Sequence, residues 1–136
     1  MILLDWSIIF FPTLHSFHSI EKIPKTSGLV YKCVDVQGKA IMSKILPGQA
    51  YPLELHQELA RKGLALMPAI TRLPGNFTLL QTEFLAPSEG WMRLDEFHGD
   101  VDVLEKACFE AVAGLHSCLE NRAVHGDLRP PNMFAR

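Results

Sequence analysis

The chain has 136 residues, 48% of them hydrophobic and 21% charged, with 13 Lys and Arg against 15 Asp and Glu for a formal charge of −2. That mixture excludes an intrinsically disordered polymer and suits a single domain with a sizeable core. No cluster of Lys and Arg is available to track a phosphate backbone, so nucleic acid is not an expected partner.

The first stretch, Met1 to Phe17, is strongly apolar, but Asp5 and Pro12 interrupt it. It has no basic leading region and lacks the ~18 continuous apolar residues of a membrane helix, so no membrane association is expected. A buried strand or helix is the expectation for this stretch. Residues 1–22 are set apart as an apolar N-terminal extension of open role.

From Gly28 the pattern becomes regular. Leu29 to Val36 is a β-prone run ending at Gln37-Gly38, and a second run from Ala40 to Leu46 stops at Pro47-Gly48. Two such runs around a glycine-containing turn predict an antiparallel hairpin. Pro52 suits a first helical turn, Leu55 and Leu59 share one helical face, and Gly63 ends the helix. Pro74-Gly75-Asn76 then punctuates a further strand pair, carried by Phe77, Leu79, Leu80 and Phe84 and closed near Ala86-Pro87-Ser88.

The longest expected helix runs from Val103 to Asn121, where Leu104, Cys108, Ala111, Leu115 and Cys118 recur at buried-stripe spacing. Asp102 is expected to cap its start, with Glu105 at the third helical position. Between Glu83 and Glu120 nine carboxylates face only Arg93 and Lys106, which reads as a mostly solvated acidic surface. Cys33, Cys108 and Cys118 have no C-x-x-C spacing and read as reduced thiols of an intracellular protein, cytoplasmic or nuclear. The order strand, strand, helix, strand, strand, helix defines an α+β chain.

The densest chemistry lies in Val124-His125-Gly126-Asp127-Leu128-Arg129-Pro130-Pro131-Asn132. A carboxylate and, five positions on, an amide across a proline-rich loop suit two tasks. Asp127 can orient a hydroxyl and take its proton, while the Asn132 oxygen holds a divalent ion. Arg129 supplies a permanent cation where phosphate oxygens gather charge. Positioning and charge compensation are most of what phosphoryl transfer asks of a protein.

This segment resembles the catalytic loop of the protein kinase-like superfamily, H-R-D-L-K-P-x-N. Gly126 stands for its arginine and Arg129 for its lysine; the H-G-D form is familiar from kinase-like small-molecule phosphotransferases and kinase-like proteins of fungi. The resemblance implies Asp127 as catalytic base, Arg129 beside the phosphates and Asn132 as magnesium ligand. It implies Gly28 as the last glycine of the phosphate loop, with Ile23 and Lys25 where earlier glycines would stand. Val30 is then over the adenine, Lys44 on the α- and β-phosphates and Glu58 its helix partner, with Glu54 in reserve. Thr82 is the gatekeeper, and the backbones of Glu83 and Leu85 meet the adenine edge. Glu89 and Asp95 are minor candidates for ribose contact.

The fold so implied is a kinase-like N-lobe over 23–86 and the start of a helical C-lobe over 87–136. The chain stops before the magnesium aspartate that follows the family's catalytic loop. The expectation is therefore a piece with little activity alone, and a long helix left facing water or another chain. The implied function is ATP- and Mg2+-dependent phosphoryl transfer to a protein serine or threonine hydroxyl. A pseudokinase or binding module, and an aminoglycoside- or choline-type small-molecule phosphotransferase, remain open alternatives. His15 and His18 lack a third metal ligand nearby and are read as surface or core side chains.

Overall fold

A computed structural model describes residues 17–24, 26, 28–120 and 132–136. It is a mixed α+β chain built on a five-stranded antiparallel sheet. Strands β1 (Phe17–Lys22), β2 (Leu29–Asp35) and β3 (Ala40–Pro47) form a meander, followed by helix α1 (Leu53–Arg61). A second hairpin, β4 (Ala69–Leu73) and β5 (Phe77–Glu83), then inserts so that the spatial order is β1-β2-β3-β5-β4. Short 3₁₀ turns at Pro87–Glu89 and Leu94–Glu96 flank the two-residue strand β6 (Met92–Arg93). Helix α2 (Val101–Leu119) follows, and β7 (Phe134–Ala135) returns to pair with β6.

The β2–β3 hairpin turns where the sequence predicts it. Gly38 sits at φ +83°, a conformation that a side chain would strain. The Asp35 carboxylate accepts the Gln37 and Lys39 amides and so closes the turn. Strand β1 was not expected as a separate element. It lies within the segment read as an N-terminal extension and pairs with β2 from Phe17 opposite Asp35 to Lys22 opposite Tyr31.

The core runs through the middle of the sheet. Cys33, Ser43, Leu79, Leu80 and Thr78 are buried, and Thr78 donates to the Gly48 carbonyl at 2.7 Å. One face carries a buried polar set in which Gln81 Nε2 donates to Ser43 Oγ at 3.2 Å and Ser43 bonds the Cys33 thiol. Burial pushes the Cys33 thiol up from its ordinary range, the Ser43 contact opposing it only in part.

The cap of α2 corrects the sequence expectation. Asp100, not Asp102, caps the helix: its carboxylate accepts the amides of Asp102 at 2.9 Å and Val103 at 3.2 Å. Asp102 is therefore inside the first turn, where its charge favours the positive end of the helix dipole. The expected stripe is only partly covered. Cys118 is buried and Leu104, Cys108, Ala111 and Leu115 are half-buried. Val101, Val103, Phe109 and Val112 stand exposed, Phe109 at 76%. No helix among the described residues is long and apolar enough to cross a membrane.

Candidate functional site

Antiparallel pairing puts directly opposed residues on the same face of a sheet, and alternate residues of one strand on that face too. Val30 on β2 lies opposite Lys44 on β3, Lys44 lies opposite Leu80 on β5, and Met42 lies opposite Thr82. Val30, Met42, Lys44, Leu80 and Thr82 consequently line one face. Three of the residues singled out by the resemblance, Val30, Lys44 and Thr82, are thus brought together from three strands. Val30 and Thr82 are each 7% exposed, while Lys44 is half-buried.

Gly28 belongs to the connection between β1 and β2, immediately before β2, at φ +105°. That value lies where a side chain is strained, so the position favours glycine for its backbone alone. The connection is closed by the Ile23 amide on the Val30 carbonyl at 2.9 Å and by the Thr26 hydroxyl on the Ile23 carbonyl at 2.8 Å.

At the far end of β5, Thr82 Oγ1 donates to the Glu83 carbonyl at 3.3 Å. Glu83 pairs with Ile41 and so belongs to the opposite face by side chain. The chain beyond it is fixed by the Phe84 amide on the Ala40 carbonyl at 3.3 Å and by the Lys32 ammonium 4.8 Å above the Phe84 ring. Leu85, half-buried, follows directly.

Glu58 is on α1, where its carboxylate lies 3.5 Å from the ammonium of Lys62, one turn on. Lys44 takes part in no ion pair among the described residues. The i,i+4 spacing of Glu58 and Lys62 was legible in the sequence and names the local competitor for Glu58 that was overlooked. Lys62 also bonds Cys118 of α2, and its charged form is favoured chiefly by that contact.

Asn132 is exposed and stands next to Met133, whose carbonyl accepts the Leu94 amide at 2.8 Å. Phe134 and Ala135 then pair with Arg93 and Met92. The end of the chain is thereby held beside the segment that follows β5, a relationship no local sequence signal announced. Asp127 and Arg129 lie outside the described residues. Asp95, a minor candidate for sugar contact, is engaged by Arg93 through two hydrogen bonds of 3.0 and 2.5 Å, and that guanidinium holds its carboxyl below the usual range. Glu89 is exposed on a 3₁₀ turn.

Surface hollows among the described residues include one on α2 and one beside the β3–β5 end of this face, where Leu46 lies opposite Thr78. One of about 440 Å³ is lined by Asp102, Glu105, Lys106 and Phe109 of α2, and one of about 220 Å³ by Leu46, Gly48, Tyr51 and Thr78 among others. No group of three or more His, Cys, Asp or Glu placed to hold a metal ion occurs among the described residues. Compared with family models, curated proteins and solved structures, the chain finds no match in any of the three.

Proposed function

We propose that this chain carries the nucleotide-binding part of a kinase-like phosphotransferase that moves the γ-phosphoryl group of ATP, with Mg2+, to a protein serine or threonine hydroxyl. The observation that supports this most is the shared face of Val30, Met42, Lys44 and Thr82. An apolar rim with a single ammonium in its middle suits a flat base stacked on aliphatic side chains and a phosphate chain reaching the cation. In this reading Gly28 borders the phosphates, and the backbones of Glu83 and Leu85 meet the base edge. Asn132 holds the metal, while Asp127 takes the acceptor's proton with Arg129 beside the phosphates.

A binding module without turnover is the second reading. It is favoured by the Glu58–Lys62 ion pair and by the absence of any ion pair at Lys44 among the described residues. In that reading nucleotide binds without the lysine being fixed for catalysis.

Calorimetric titration of the purified chain with ATP, with and without Mg2+, tests both. Saturable binding that Lys44→Met weakens at least about tenfold is the expected result, the loss of one charge-assisted contact to phosphate. Lack of binding by the wild-type chain, or equal binding by Lys44→Met, overturns the nucleotide reading. Metal-independent binding with no phosphate release or transfer favours the non-catalytic version.

A further inference from the structure

Helix α1 has only nine residues, a length at which isolated helices are marginal in water, where about 12–15 are needed. Its N-cap position is Pro52, which offers no side-chain acceptor, and none of its residues is fully buried. Neither propensity nor core burial therefore fixes the helix, and its tertiary ties must. At its C-terminal end these are the Lys62 contact with Cys118 and the packing of Leu64 against Gly114 of α2. Toward its N-terminal end the tie is His56.

Tyr51, in the connection before α1, meets His56 Nδ1 through its hydroxyl at 2.5 Å, with the ring centroids 5.9 Å apart. The backbone of Leu66, in the segment after α1, bonds the same imidazole. One half-buried ring therefore joins the chain before the helix to the chain after it. The phenol is the better donor, so in the neutral ring Nδ1 accepts from Tyr51. Protonation turns Nδ1 into a donor, which obliges the Tyr51 hydroxyl to surrender its own acceptor and leaves a half-buried cation. The charged groups of α1 itself are Glu54, Glu58 and Arg61. The adjacent helical turns offer Pro52, Leu53, Leu59 and Ala60, and among the described residues the titratable side chain that bonds the ring from outside the helix is Tyr51.

We infer that Tyr51, His56 and the Leu66 backbone form a clip that fixes α1 at neutral pH and that opens on acidification, loosening the helix. Burial lowers the affinity of His56 for its proton, and the Leu66 contact opposes this only in part, in keeping with the geometry. The sign follows from linkage. A ring whose folded midpoint lies below the ordinary 6.5 stabilises the clipped state above 6.5. That contribution drains away as the pH falls from there to the folded midpoint.

Hydrogen exchange of the full 136-residue chain between pH 7.5 and 5, corrected for intrinsic rates, reads this directly over residues 53–61. The expected result is faster exchange at low pH, by about tenfold for each unit separating the His56 midpoint from 6.5, and no pH dependence in His56→Phe. Unchanged protection of 53–61 in the wild type, or the same acid response in His56→Phe, overturns the inference. Should His56→Phe fail to fold, NMR titration of the wild-type His56 ring serves instead. The ring and the α1 amides are expected to titrate with one shared midpoint below 6.5. A ring midpoint at or above 6.5, or α1 amides that ignore it, overturns the inference.

Discussion

The Leu94 amide donates a 2.8 Å hydrogen bond to the Met133 carbonyl, and this fastens the residue after Asn132 to the chain that leaves β5. Asn132, the metal ligand of the proposed function, therefore stands beside the segment that follows β5. In the proposed function, Asn132→Ala removes a ligand of the ion and leaves the Lys44 contact intact. ATP affinity without Mg2+ is expected to stay within about twofold of wild type, while the gain on adding Mg2+ falls at least about tenfold. Calorimetry in the presence and absence of the metal gives both numbers. A Mg2+ enhancement equal to wild type removes Asn132 from its assigned role.

The capping of α2 separates two neighbouring aspartates. Asp100→Ala deletes the acceptor of the Asp102 and Val103 amides and is expected to cost about 1 kcal/mol. Asp102→Ala removes only a charge near the helix start, at about 0.3–1 kcal/mol at low salt, and less as salt is added. Urea unfolding at low and high ionic strength distinguishes them, because the loss at Asp100 persists in salt.

The sheet centre and the outer side of α2 should respond very differently to truncation. Leu79→Ala, at a site 3% exposed, is expected to lose about 2–5 kcal/mol. Thr78→Val, which leaves the Gly48 carbonyl without its hydroxyl donor, should lose about 1–2 kcal/mol. Phe109→Ser should change stability by no more than about 0.5 kcal/mol, since that ring covers little in this chain. Thermal or denaturant melts of the three variants check the order.

Thiol reactivity offers a check that needs no variant. Cys33 is fully buried, and burial raises its pKa, so its nucleophilic thiolate is scarce and shielded at neutral pH. Cys108 is partly exposed on α2. Iodoacetamide at pH 7.5 followed by peptide mass spectrometry should modify Cys108 well before Cys33, the difference vanishing in urea.

Much of the sheet was legible because its signals are local. Gln37-Gly38 marks the β2–β3 turn, Pro74-Gly75-Asn76 the β4–β5 turn, and the stops at Pro47-Gly48 and Gly63 bracket α1 within a few residues. Strand β1 escaped notice because five of its six residues are exposed, so His18, Ser19 and Glu21 interrupt the apolar alternation that would betray it. Its partner β2 defines it. The two-residue strands β6 and β7 are likewise products of a distant meeting, with too few residues for any period.

The start of α2 was misread for a different reason. Two aspartates stand two positions apart, and Asp102 with Glu105 fits the capping-box spacing, whereas Asp100 wins through its actual bonds to the first amides. For the candidate site, a period of two already placed Met42 and Lys44 on one side of β3. That Val30 and Thr82 share this side depends on the register of three strands, which no single segment encodes.

Of the four junctions in the five-stranded sheet, three are closed by short connections and one is not. Strand β3 meets β5 only after the chain has passed through α1 and β4. The sheet is thus two local assemblies, a three-stranded meander and a two-stranded hairpin, joined along one seam from Ile41–Glu83 to Pro47–Phe77. Closing that seam carries the largest loop entropy in the sheet, which makes it the natural last step of folding. A chain cut between α1 and β4 would yield two pieces whose reassociation rebuilds this seam, and whose affinity for each other measures its strength.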